Sequence, residues 1–239
     1  MDVMFVSPRG PKHKYFSFLA AKLAFNSNVY DFSFRPCFRS KSIKLTSDEV
    51  SEGIEFHFQR KRVKYHFPEW LWSLIRHYYT FKFRYLFRRF SGLIDRHKPK
   101  CIAIFNGTRL PEKVIKTIAS KLAIPGVHFE NGLLPNTTTF DLLGVNASNS
   151  LPRIAAFYAD YATKNVGDSV IEPKLVQRKF NRKKRKHAQH ANFHLQLPKT
   201  FIFVPFQVLF DSQVLLNSPN IANMHELYGW IEFTASRCS

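Results

Sequence analysis

Three carboxylates, Glu130, Asp141 and Asp211, are the best-placed acidic side chains of this chain, each standing beside an apolar run or a polar turn. Carboxylates can stabilise or trap an oxocarbenium-like centre and can take the proton of an acceptor hydroxyl, the two tasks of glycosyl transfer. Glu130 directly follows an apolar run and precedes Gly132, where the backbone can turn sharply and leave the side chain at a crevice. A lone Glu at a strand end is more often solvated or salt-bridged, and that reading stays open beside the chemical one.

The stretch after Glu130, LLPNTTTFDLLGVNASNSLPR, is dense in small hydroxyl and amide side chains next to Gly and Pro. Such residues make turns and caps in any protein. They also offer neutral donors and acceptors to sugar hydroxyls. Asn136-Thr137-Thr138 and Asn146-Ala147-Ser148 match the N-glycosylation pattern, but no secretory signal precedes them, so both are read as accidental. His128 lies on an apolar run and reads as a core histidine, and no metal-ligand spacing is present.

FENGLLP, then Asp141, then GVNASNSLPR, and later VPFQVLFDSQ, resemble the signature blocks of bacterial capsule-polysaccharide synthesis and export proteins, a group that includes retaining β-Kdo transferases. The resemblance runs from about Phe105 to about Glu226. It implies a two-lobed glycosyltransferase of GT-B-like architecture, with donor and acceptor meeting between lobes. By position, Glu130 matches the acidic residue of the E-x-G turn, and Gln207 and Asp211 match the Q…D block, with Ser212 and Gln213 beside them. Asn146, Ser150 and Arg153 match the GVN block, where an Arg could pair with an ulosonic carboxylate or a phosphate, or could brace the helix start after Pro152. Some relatives carry Asp directly after the Glu; here it is Asn131, whose amide cannot form a glycosyl ester, leaving Glu130, Asp141 or Asp211 as nucleophile. Implied partners are CMP-Kdo or a related nucleotide sugar, an anionic lipid-linked acceptor, the inner-membrane surface and a capsule assembly complex. No cofactor is expected.

These residues need elements to position them. Val3 to Val6, a break at Ser7, Pro8 and Gly10, then Phe16, Leu19, Ala20 and Leu23 predict strand, loop and helix. Asn28 to Phe34 predicts a second strand, and Glu55 to Tyr65 alternates as a strand or hairpin would. Leu71, Leu74, Tyr78, Phe81 and Tyr85 keep helical spacing between Glu69 and His97, with arginines and lysines between them. That basic amphipathic helix either packs on a sheet with a solvated cationic face or attaches to an anionic membrane. Cys101 to Phe105, Val114 to Leu122 and Pro125 to Phe129 predict strand, helix and strand, the unit of a parallel α/β sheet. Ligands of such sheets sit beyond the carboxyl ends of the strands, where Asn106-Gly107 and Glu130-Asn131-Gly132 would face one crevice. A further helix is expected over Leu151 to Thr163 and a strand over Thr200 to Gln207.

The resulting expectation is an α/β protein: a parallel, Rossmann-like N-terminal, acceptor-side lobe over 1–164, a basic linker over 165–199, and the start of a C-terminal nucleotide-sugar lobe over 200–239. The end, GWIEFTASRCS, shows no periodic pattern, which predicts that the second lobe is incomplete through a premature stop or frameshift. Across 239 residues, 45% are hydrophobic and 22% charged, ordinary values for a folded protein. Twenty-five Phe and a net charge of +19 are not ordinary, and the charge calls for an anionic partner without naming it. Cys37, Cys101 and Cys238 fit neither a zinc site nor an even disulfide set, and no run reaches the roughly 18 apolar residues of a spanning helix, so a cytoplasmic protein peripheral to the inner membrane is expected. Capsule-polysaccharide glycosyl transfer is the leading function, a non-catalytic remnant or acceptor-binding module the alternative. Nucleic-acid binding through the QRKFNRKKRKHAQH run ranks below both, since no RNA-recognition, KH or helix-turn-helix signature is present.

Overall fold

Two short apolar runs, Val3–Ser7 (β1) and Cys101–Phe105 (β3), pair in parallel and form the centre of a five-stranded sheet. The computed structural model describes residues 1–35, 43–132, 137–164, 201–208 and 211–238. Ser27–Asp31 (β2) pairs with the other edge of β1, Gly126–Asn131 (β4) pairs with β3, and Thr138–Asp141 (β5) closes the far side, giving the order β2-β1-β3-β4-β5. All neighbours are parallel except β4 and β5. The protein is therefore a mixed α/β fold with a mostly parallel, Rossmann-like sheet.

Alternation along the central strands assigns the two faces, because successive side chains in a strand point opposite ways. Met4, Val6, Ile102 and Ile104 join one core with helices α2 (Ser47–Lys64), α3 (Glu69–His97) and α4 (Glu112–Lys121). Phe5, Ala103 and Phe105 face the opposite way, onto Phe16 of helix α1 (Pro11–Lys22). Phe16 is fully buried, with its ring 5.0 Å from Phe5 and stacked on Phe105 at 4.7 Å. Helices on both faces of a parallel sheet make it doubly wound.

Four expectations require correction. Glu55 to Tyr65 is not a strand but the second half of α2. Thr46 and Glu49 form a capping box at the helix start, and Val50, Ile54 and Phe58, one turn apart, bury against α3. On α3 the apolar set read from the sequence is mostly the outward one: Leu74, Tyr78 and Phe81 are exposed, while Trp72, Tyr79, Phe83, Leu86, Phe87 and Phe90 face the core. Residues 201–208 form no strand; Phe201, Ile202, Phe203 and Phe206 are exposed, and no strand lies beside them among the described residues to supply ladder hydrogen bonds. The closing stretch, read as aperiodic, belongs to helix α7 (Met224–Cys238).

Helix α5 (Ala155–Lys164) starts later than expected, after Pro152 and Arg153. Helix α6 (Ser212–Asn217) packs on α2 and on the short 3-10 turn Asn146–Ser148. Strand β5 was not anticipated. The basic linker over 165–199 lies outside the described residues.

Candidate functional site

The chain winds in opposite directions from the centre of the sheet: β1 leads through α1 to β2, and β3 leads through α4 to β4. The switch point therefore falls between β1 and β3, where parallel sheets place their ligand crevice. Ser7 ends β1 fully buried, and Gly10 follows at φ 111°, a conformation that disfavours any side chain. Helix α1 then begins at Pro11, with no side-chain cap and no acidic residue in its first turn. Its first N–H groups, without a partner among the described residues, and the positive end of its dipole point to the carboxyl edge of the sheet.

The side chains around that turn are basic. Lys12 reaches across to β3, with Nζ 4.7 Å from the centroid of the Phe105 ring. His13 Nδ1 lies 3.4 Å from Ser7 Oγ. Arg9 is occupied elsewhere, donating through Nε to Asp31 at 2.8 Å.

Beyond β3 the backbone turns through Asn106 at φ 64° and Gly107 at φ 88°. Asn106 Oδ1 accepts from the Thr108 backbone at 3.1 Å and from the Thr108 hydroxyl, while its Nδ2 donates to Glu130 Oε2 at 2.6 Å. Adjacent strands thus bring Asn106-Gly107 and Glu130-Asn131 together, as their spacing suggested. Gly132 sits just past β4, its N–H donating to the Thr137 carbonyl at 2.9 Å.

The remaining sequence-chosen residues lie elsewhere. Asp141 is paired in register with His128, a level below Glu130, which pairs with Thr139. Its carboxylate accepts from the Ser150 hydroxyl at 2.5 Å and from the N–H groups of Ser150, Leu143 and Gly144. The Ser150 hydroxyl first, then these amides, hold the acid well below the usual carboxylate range. Asp141 thereby ties the 141–150 loop together. Arg153 does related work, donating to the Asn146 carbonyl at 3.0 Å and to Asn149 Oδ1 at 2.8 Å. Asp211 caps α6 by accepting from the Gln213 N–H at 2.8 Å and feels the charge of Arg60 on α2. Gln207 is exposed, with its N–H on Met224 Sδ, and Ser212 opens α6.

Sequence reasoning passed over the Ser7 to His13 turn as a mere break. Its signal was a strand followed by Gly and then Pro, the pattern that opens a helix directly after a sheet strand. It also passed over Glu112, which is 7% exposed at the start of α4, with Lys12, Arg109 and Lys82 as its charged neighbours. Burial pushes that carboxyl up, against the opposing pull of those three cations. His128, expected to be a satisfied core histidine, is in the core, 4% exposed with burial lowering its basicity, but it is not satisfied, because its Nδ1 is buried with no hydrogen-bond partner among the described residues. Among the described residues no group of acidic, His or Cys side chains is arranged to hold a metal.

No protein-family model matches this chain, and no solved structure matches it. Over 129 residues it is 38% identical to Protein FixF of Sinorhizobium fredii (strain NBRC 101917 / NGR234), which takes in 53% of this chain and 29% of that protein. The chain thus spans less than a third of its relative's length. This finding overturns the leading functional expectation, because the curated relative bears the name Protein FixF and not that of a capsule-polysaccharide glycosyltransferase.

Proposed function

We propose that this α/β body binds a small anion carrying phosphate or carboxylate in the crevice at the carboxyl edge, between β1 and β3. The observation that carries the reading is the position of Lys12. Its ammonium leans over Phe105 at the switch point, beside an uncapped helix N-terminus, and forms no ion pair among the described residues. An ammonium and unpaired N–H groups converging on one crevice are the chemistry of anion capture. Opposite them, the Asn106–Glu130 pair offers an amide and a carboxylate to hydroxyl groups of the same ligand.

The finer architectural expectation, two lobes closing on a ligand, belongs to the same proposal, with the sheet described above as one lobe. Shared descent with the capsule-synthesis proteins is proposed separately, on the FENGLLP and GVNASNSLPR blocks, and brings no activity with it.

Titration calorimetry and thermal melting with inorganic pyrophosphate and with citrate provide the test. Wild-type protein is expected to bind at least one of them, and Lys12→Gln to weaken that binding about tenfold, equivalent to about 1.4 kcal/mol. A Lys12→Gln chain that binds as tightly as wild type would assign the affinity to the basic run at 177–190 and sink the reading, as would a wild type that binds neither anion.

A further inference from the structure

We propose that the outward face of α3, together with the turn joining it to α2, is a docking surface for an anionic lipid bilayer. The helix has two apolar faces on opposite sides. Trp72, Tyr79, Phe83, Leu86, Phe87 and Phe90 fill the core, and half a turn away Trp70, Leu74, Tyr78 and Phe81 are 66%, 58%, 50% and 61% exposed. A helix packed on a sheet needs only the first set. The second is a continuous stripe at steps of four, four and three residues, so its members share one line along the helix.

The stripe continues into the α2–α3 turn, where Tyr65 and Phe67 stack with their rings 5.7 Å apart and nearly parallel at 3°. Between these rings, Leu74 and Tyr78 lies an apolar groove of about 370 Å³. Every residue from 62 to 70 is exposed, so the turn projects from the body.

Cations surround this apolar surface. Lys61 and Lys64 lie 5.3 and 5.2 Å from the Tyr65 ring, and Lys82 lies 5.8 Å from Tyr78. Exposed Arg84 and Arg88 prolong the stripe beyond Phe81. Glu69, at the start of α3, is paired with Arg62 at 2.6 Å.

Exposed Trp, Tyr and Phe interleaved with Lys and Arg suit a bilayer interface, where rings enter the headgroup layer and cations meet anionic lipid. A second copy of this chain fits poorly, because each copy carries a net charge of +19. The attachment is peripheral: among the described residues no helix is long and apolar enough to cross a membrane. The proposal is independent of the anion crevice, since Lys12 takes no part in it.

Co-sedimentation of the full chain with vesicles is the test, using phosphatidylcholine alone and phosphatidylcholine mixed with phosphatidylglycerol. Wild type is expected to sediment with the mixed vesicles only. Trp70→Ser combined with Leu74→Ser and Tyr78→Ser should weaken this about tenfold or more with an unchanged melting temperature, because the three side chains are exposed. Lys61→Gln combined with Lys64→Gln and Lys82→Gln should weaken it and flatten its salt dependence, while Lys12→Gln should bind vesicles like wild type. Four outcomes would overturn the proposal: wild type that ignores anionic vesicles, a serine variant that sediments like wild type, light scattering that shows the stripe holding a dimer together, or a single-stranded oligonucleotide held by the same side chains in preference to lipid.

Discussion

Arg89 is 4% exposed, and its Nη1 donates to the carbonyls of Asp31 at 2.8 Å and Ser33 at 2.6 Å. Its Nη2 stands 3.9 Å from the Asp31 carboxylate, which Arg9 and Arg35 also approach. Burial alone would raise the Asp31 carboxyl, but hydrogen bonds from Ser33 and Arg9 outweigh it and hold the acid well below its usual range. One guanidinium thus fixes the end of β2 to the middle of α3. Arg89→Ala is expected to lower the unfolding free energy by about 2–4 kcal/mol, because the buried Asp31 carbonyl and the part-buried Ser33 carbonyl lose their donor and the Asp31 carboxylate loses a positive neighbour. Urea denaturation measures it, and a loss below about 1 kcal/mol would show that water replaces the guanidinium without cost. None of this was legible in the sequence, where Arg89 was one of many arginines on a basic helix. Glu130 and Asn106 were legible because strand ends in a parallel sheet converge. The local roles of Asp141 and Arg153 were not, because turns and sugar sites use the same residue types.

Gly53 of α2 lies directly against Phe83 of α3. A Cβ added there would meet the Phe83 ring at 2.2 Å, and that ring is fully buried. Gly53→Ala gains about 1 kcal/mol of helix propensity, yet the overlap costs about 1–3 kcal/mol with no room for the ring to yield. The clash is expected to win, and a thermal melt showing a Tm at or above wild type would refute it. The same helix explains a misreading. Phe56 and Phe58 alternate as a strand would, but both are buried on a helix whose start was announced by Thr46 and Glu49 three residues apart. Cap chemistry outranked alternation. For α3 the helical period was legible over its whole length, but the inward face was not, because both faces are apolar and only contact with α2 and α4 distinguishes them. Strand β5 has just four residues, Thr138–Asp141, too few for a pattern, and depends on the edge of β4 for its existence.

Across the whole molecule the positive charge also acts on stability. His57 packs edge-on to Tyr79, with ring centroids 4.8 Å apart, and its Nδ1 is buried without a partner among the described residues. Burial, followed by the charges of Lys61, Lys82, Arg60 and Arg109, lowers it from 6.5 to about 4. The folded state therefore binds fewer protons than the unfolded chain between these values. Its stabilising contribution is complete above about pH 6.5 and is lost as pH falls towards 4. After allowance for partial exposure this amounts to about 1–2 kcal/mol. Melting followed from pH 7 to pH 4 should show this decline, with a shallower one in His57→Phe, which keeps a ring against Tyr79; equal slopes would locate the effect elsewhere. The sheet order as a whole was only half legible, since strand, helix and strand repeats imply a parallel sheet without saying which strand lies at its centre.

The middle place belongs to β3, and β1 lies beside it, its Val3 paired with Ser27 on one side and Cys101 on the other. As the chain leaves the ribosome, the first strand can zip to β2 early, but its second edge stays open until α2, α3 and β3 have all emerged. Such a distant pairing demands a large loop closure before it yields any contact, so assembly of this protein should be slow for its size. During that interval the unpaired edge of β1, Val-Met-Phe-Val-Ser, is a sticky template for other nascent chains.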